Sequence, residues 1–235
     1  MSRFFEQILI GGVLALMALA VLALWYARAA RKAGEPPEGG LLPAGLGFGL
    51  LPALATGLIF LQDTSLGRGV PLMEPMEEIA WLSAEGRFMP CRIESLLCLI
   101  CFAGLCLWLM FRKAPLSGGW ETAETGLCLW AGIRLMSESL RAENVTVVSG
   151  MHLLRFVYAA LMLVLLLVRV VRGGRAHRGQ ALVSLAVFAV AVAAVLLTGN
   201  GILTTGSDMS DLIVCGGGAA LASAAVLMAG GERYA

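Results

Sequence analysis

Charge is what this sequence has least of. Of its 235 residues only 14% are Asp, Glu, Lys or Arg, while 59% are hydrophobic. A water-soluble domain carries about a quarter charged residues, so that class is excluded, and several apolar runs approach the length that crosses a bilayer. The formal net charge is +1, and the basic residues are spread among the ends of apolar runs, which excludes a nucleic-acid surface. Histidine is nearly absent, with only His152 and His177. The six cysteines lie mostly inside apolar runs, where free cysteine behaves as a small hydrophobe. Cys98 and Cys101 have CxxC spacing but no second pair and no nearby histidine. Neither a metal site nor a disulfide framework is therefore expected, and no cofactor is implied. No internal repeat is evident, so the inverted-repeat signature of many transporters is missing.

What remains is a series of apolar segments. Ile8 to Trp25 is free of charge and is followed at once by Arg28, Arg31 and Lys32. A cleavable signal would carry its cations before the apolar core, so this segment is expected to stay as a membrane helix. Leu41 to Leu61 contains Pro43, Pro52 and several glycines, a content suited to a bent helix in close backbone contact with its neighbours. Thr64 to Glu85 is a long acidic connection, with an interfacial amphipathic piece expected around Met73 to Leu82. Ile93 to Phe111 ends in Arg112 and Lys113. A span from about Gly126 to Leu140 follows, then Ser149 to Val171, Ala181 to Leu197 and Leu212 to Gly230.

This pattern predicts an all-α, polytopic membrane protein of about seven transmembrane helices. Its N-terminus is expected outside and its C-terminus inside, because Arg28, Arg31, Lys32, Arg112, Lys113, Arg169, Arg172, Arg175 and Arg178 all flank the three loops that this topology makes cytoplasmic. Other arginines run against that bias: Arg3, Arg68, Arg87, Arg92, Arg134, Arg141 and Arg155 fall on or near the outer half.

Trp130 to Glu143 is the centre of interest. Arg134, Glu138 and Arg141 fall at i, i+4 and i+7, so on a helix they share one face. Each ionisable residue in a membrane segment costs roughly 2.5 to 3.5 kcal/mol on insertion scales, so the stripe calls for a partner, a polar cavity or an anionic ligand. Arginine grips phosphate through paired N–H donors and stays charged when partly desolvated. A phospholipid headgroup is the expected ligand, with Glu138 orienting Arg134 and Glu94 standing near Arg92. If chemistry occurs, arginine would stabilise negative charge on a departing phosphate, and a general base would be needed. His152 is the candidate base. On a helix it would share a face with Arg155, at i and i+3.

The order and spacing of these residues resemble the bacterial prolipoprotein diacylglyceryl transferase family, integral membrane enzymes that move diacylglycerol from phosphatidylglycerol to a lipoprotein cysteine. Arg134-x-x-x-Glu138-x-x-Arg141 matches the charge spacing of the family's R-F-x-x-E-x-x-R helix. Met89 to Lys113 is similar to the P-S-Q-L-Y-E-A-L helix and its basic end, with Glu94 on the glutamate. LIFLQDTSLGRG is similar to the signature G-R-x-x-N-F-x-N-x-E-x-x-G-R, with Phe60, Gly67 and Arg68 on matching positions. Leu9 to Gly12 resembles the segment after the family's H-G-G. Several signature positions differ: Thr56 stands for the arginine, Ile59 and Gln62 for the asparagines, Thr64 for the glutamate, and the H-G-G histidine falls near Glu6. The family's first two helices have no counterpart.

The resemblance implies a transferase-like core of five helices over residues 1–171 and two additional helices over 172–235, in the bacterial inner membrane. Arg134, Glu138 and His152 would be catalytic, and Arg141, Arg68, Gly67, Arg92, Glu94 and Arg155 would bind a phosphatidylglycerol-like lipid at the outer face. A lipoprotein precursor would be the acceptor. The alternatives are a catalytically inactive homologue that kept the arginine helix for lipid binding or structure, and a transporter. The almost wholly apolar inner halves of the spans argue against the last.

Overall fold

The computed structural model describes residues 83–84, 87–88, 97–98, 100–101, 119–140, 147–148, 151–173, 178–203 and 208–229. The spans expected from Ile8 to Trp25 and from Leu41 to Leu61 lie outside these residues. Of the span expected from Ile93 to Phe111, residues 97, 98, 100 and 101 are helical.

Four long helices dominate: α1, Gly119–Leu140; α2, Leu153–Gly173; α3, Arg178–Gly199; and α4, Asp208–Met228. Two short antiparallel ladders accompany them. In the first, β1, Ser83–Ala84, pairs with β2, Arg87–Phe88; in the second, β3, Val147–Val148, pairs with β4, Met151–His152. The described part is thus helical apart from these two-residue strands and the turns that follow α3 and α4. Of its helices, α2 and α3 are long and apolar enough to cross a membrane. The chain divides into two compact units, one holding Ser95–Trp130 and the other Ala131–Glu232. The second part of α1 therefore shares its unit with all of α2, α3 and α4.

Each of these helices extends beyond the apolar run that announced it, because turns with polar residues are helical too. α1 begins seven residues before the expected Gly126, at Gly119, and takes in Glu121 and Glu124. The helix dipole favours acidic residues near an N-terminus, and Asp211 stands near the start of α4. The α2 boundary moves the other way. The expected helix from Ser149 is shortened at its start, because Met151 and His152 pair with Val148 and Val147 in extended conformation. β-branched valines favour such pairing.

The packing of α3 and α4 is inverted relative to a soluble core. The buried side of α3 carries Ala181, Ser184, Phe188, Ala191, Val192, Val195, Thr198 and Gly199, at helical spacing and mostly small. Its exposed side carries bulky Leu182, Val183 and Val190, the last 72% exposed. α4 repeats the pattern, with Ala219, Ala222, Ser223 and Ala225 inside and Ile213, Leu221 and Met228 outside. Small residues inside let helix backbones approach closely, as membrane helices do. At Gly218 a Cβ would lie 2.5 Å from Val195 Cγ2 and 3.1 Å from the Ala191 carbonyl oxygen, so a side chain there would push α3 and α4 apart.

Away from water, the last four carbonyls of every helix need donors. At the end of α3 each one has its donor. Asn200 donates to Leu196 through both its backbone N–H, at 3.0 Å, and its side-chain Nδ2, at 2.8 Å. The Ile202 N–H reaches Leu197 at 2.9 Å and the Gly201 N–H reaches Thr198 at 3.0 Å. Together these two bonds form a Schellman motif, which requires a left-handed residue at the position of Gly201. Its φ is 71°, a conformation glycine adopts without steric cost. The fourth carbonyl, Gly199, accepts from Arg155 on α2.

α4 ends with outside help as well. Arg169 Nη1 donates to Leu227 at 3.1 Å and Gln180 Nε2 to Met228 at 2.8 Å. The start of α2 therefore meets the end of α3, and the end of α2 meets the end of α4. α2 runs antiparallel to α3 and parallel to α4.

Candidate functional site

The polar residues of α1 and α2 meet in two rungs. One turn of α1 supplies Arg134 and Glu138; one turn of α2 supplies Arg155 and Tyr158. Arg134 lies opposite Tyr158: its Nε–H donates to the tyrosine Oη at 3.1 Å, and its guanidinium carbon is 5.3 Å from the ring centroid. Glu138 lies opposite Arg155, whose Nε–H donates to the Glu138 backbone carbonyl at 2.9 Å. Residue number rises along α1 as it falls along α2, so these helices are antiparallel.

Within α1 the expected i, i+4 pair forms. Arg134 Nη2 lies 3.1 Å from Glu138 Oε1. The Glu138 side chain is 7% exposed and that of Arg134 16%. A pair this enclosed is stabilising only because further bonds offset the cost of removing both charges from water. The phenol of Tyr158 supplies one, and its ring face attracts the guanidinium electrostatically. The guanidinium of Arg134 is thus held on two sides, by a carboxylate and by a phenol, while part of its surface stays accessible.

Arg155 has a different environment. It is the largest fully buried side chain among the described residues, at 0% exposure. Beyond Glu138, its Nη1 donates to the Gly199 carbonyl and, at 3.2 Å, to Asn200 Oδ1. Two helices end here, and each presents about half a negative charge at its C-terminus. A guanidinium, always protonated and donating in several directions, fits between them. Expected as a lipid ligand, Arg155 is engaged by the helix ends of its own fold.

Of the other residues expected at the site, His152 occupies β4, opposite Val147. It precedes α2, so it does not share a helix face with Arg155; the extended pairing described above replaces the helical turn that the i, i+3 reading needed. Arg141, Arg68, Gly67, Arg92 and Glu94 lie outside the described residues. Among the described residues, no group of three or more His, Cys, Asp or Glu is placed to hold a metal ion.

Two members of the cluster were missed by sequence reasoning. Tyr158 had a usable signal, since Arg155-x-x-Tyr158 puts two polar groups on one face of the first turns of a helix that is apolar from there to Val168. Asn200 had none: in sequence it belongs to a Gly/Thr/Ser-rich loop, and its partner is 45 residues away.

Comparison with protein-family models, with curated proteins and with solved structures finds no match to this chain. The likeness to the diacylglyceryl transferases therefore rests on its short motifs alone.

Proposed function

We propose that the protein is a multi-pass membrane protein that holds an anionic phospholipid headgroup, of the phosphatidylglycerol type, at the level of Arg134. The observation that carries this reading is the posture of Arg134: a partly accessible guanidinium, fixed by Glu138 and Tyr158, in a helical unit with an apolar exterior. A fixed guanidinium offers paired N–H donors to phosphate with little ordering left to do on binding. In this proposal the chain makes seven spans with its N-terminus outside, and the cluster lies in the outer half of a bacterial inner membrane. Arg141, Arg68 and Arg92 complete the phosphate pocket in this proposal.

Of the two forms this reading takes, a transferase and a non-catalytic lipid-binding protein, the burial of Arg155 favours the second. That residue is committed to helix ends, so one cation is withdrawn from any reacting phosphate. Transfer would form a carbon–sulfur bond to a cysteine acceptor, break the glycerol carbon–oxygen bond and release glycerol phosphate. The thiol proton must pass to a base, and His152 is the group proposed for it.

Mass spectrometry of lipid co-purified in mild detergent tests the reading, with wild type set beside folded Arg134→Gln and Arg141→Ala. Selective retention of phosphatidylglycerol by wild type, reduced about tenfold or more in the variants, is the expected result, on the scale of a lost charge-assisted hydrogen bond pair. The same unselective lipid mixture in all three proteins would defeat it. Incubating wild type with phosphatidylglycerol and a cysteine-bearing lipoprotein peptide then separates the two forms, since only a transferase adds diacylglycerol mass to the peptide.

A further inference from the structure

The turn that ends α3 touches the lipid-binding cluster through a continuous set of bonds. Asn200 is held by its own helix, donating to Leu196 at 2.8 Å, and its Oδ1 accepts from Arg155 at 3.2 Å. Arg155 in turn donates to the backbone carbonyl of Glu138 at 2.9 Å. The side chain of that same residue holds Arg134 at 3.1 Å. A second observation runs in parallel. A Cβ at Gly199 would lie 3.1 Å from Ser139 Oγ and 3.2 Å from Ser139 Cβ, so the end of α3 rests directly on the neighbour of Glu138. Ser139 is itself buried and donates to the Leu135 carbonyl at 2.7 Å, which leaves it little room to yield.

We infer that Arg155 and Asn200 are positioning residues for the Arg134–Glu138 pair, so that the turn closing α3 sets the affinity and selectivity of the headgroup site. This rests on the reading of Arg134 as the phosphate ligand. The physical reason lies in α1. Glu138 stands in its last turn, where carbonyls lack intrahelical donors and the helix frays unless something outside supplies them. Arg155 supplies that donor at Glu138. Without it the last turn loosens, the carboxylate drifts, and Arg134 loses one of the partners that orient its donors, keeping Tyr158. Asn200 keeps the Arg155 fork aimed at both helix ends, so a change in the following loop is transmitted to Arg134 without touching the lipid.

The test measures binding of phosphatidylglycerol and of phosphatidylcholine to delipidated full-length protein by native mass spectrometry. The proteins are wild type, Arg134→Gln, Asn200→Ala, Asn200→Asp and Arg155→Lys. Each is checked for a cooperative melt. Asn200→Ala removes the Oδ1 acceptor but keeps the backbone bond to Leu196, so the fold is expected to survive it. The expected results are a threefold to tenfold weaker preference for phosphatidylglycerol in Asn200→Ala, the scale of one hydrogen bond, and a larger loss in Arg155→Lys, whose single ammonium cannot reproduce the fork. Asn200→Asp keeps an acceptor for Arg155 but cannot donate to the Leu196 carbonyl as Nδ2 does, so its preference is expected to fall between those of wild type and Asn200→Ala. A purely structural role would lower the melting temperature without moving the preference between lipids.

If Asn200→Ala and Arg155→Lys bind as wild type does while Arg134→Gln loses the preference, the positioning inference is overturned and the headgroup reading stands. If wild type and Arg134→Gln show no preference at all, both are overturned.

Discussion

Arg155 and Arg169 project from one face of α2, about four turns apart, and each donates to a carbonyl at the end of a neighbouring helix. At the first end Arg155 is fully buried and serves two helices, α1 and α3, with Asn200 as a third acceptor. At the other, Arg169 is 8% exposed and donates to the end of α4, where Gln180 takes the adjacent carbonyl. The same device, a cation at a helix C-terminus, is thus used once as a crossing point and once as a shared cap. The difference bears on function: at the Arg155 end the capped helix carries an ion pair, Arg134 with Glu138, beside the cap.

The comparison predicts unequal costs. Arg155→Met removes the donor from two buried helix-end carbonyls while roughly preserving volume. At about 1 to 3 kcal/mol for each unsatisfied buried group, the variant loses about 2 to 6 kcal/mol of stability. Unfolding in mixed detergent or by heat reads this loss, and hydrogen exchange should rise at the end of α1 and the end of α3 together. Exchange rising at one helix alone would break the picture of a single crossing point.

Arg169→Met is expected to cost less, about 1 to 3 kcal/mol, because one helix-end carbonyl among the described residues loses its donor. Gln180→Ala costs no more than about 1 kcal/mol, since its bond is exposed and water can replace it. Neither variant should alter lipid selectivity. Equal losses for Arg155→Met and Arg169→Met would show that the two ends are equivalent and that burial at Arg155 adds nothing.

How far these features could be read in the sequence follows from the range of each interaction. The i, i+4 pair of Arg134 and Glu138 was legible because helix geometry alone brings the residues together. The ends of α3 and α4 were legible to within a few residues from their apolar runs, and Gly201 is the glycine that a Schellman motif requires. The reach of Arg155 to Glu138 and Gly199 was not, because a sequence shows a buried arginine only as an anomaly and does not say whether a ligand or a helix end resolves it. For His152 the apolar pattern gave helix where Val147 and Val148 impose extended pairing. In that case local β propensity outweighed the continuation of a helix that packing had yet to stabilise.

The smallest effect expected is also the one that tests the asymmetry most cleanly, because it adds an atom instead of removing a bond. Gly179 and Gly199 stand at opposite ends of α3. A Cβ at Gly199 meets Ser139 at 3.1 to 3.2 Å, whereas one at Gly179 meets nothing within 4 Å. Alanine limits the unfolded chain and suits a helix better than glycine does, so Gly179→Ala should gain about 0.4 to 1 kcal/mol. At Gly199 the same gain is opposed by crowding against Ser139, which is buried and already hydrogen-bonded, and against Arg155 Nη1 at 3.2 Å, and the net change should be destabilising, by up to about 1 kcal/mol. Melting temperatures of the two variants, moving in opposite directions, would show that α3 is clamped where it meets Ser139 and Arg155 and open where it begins. A gain at both positions would mean that the end of α3 can withdraw from α1 at little cost, and the coupling between that turn and Arg134 would lose its mechanical basis.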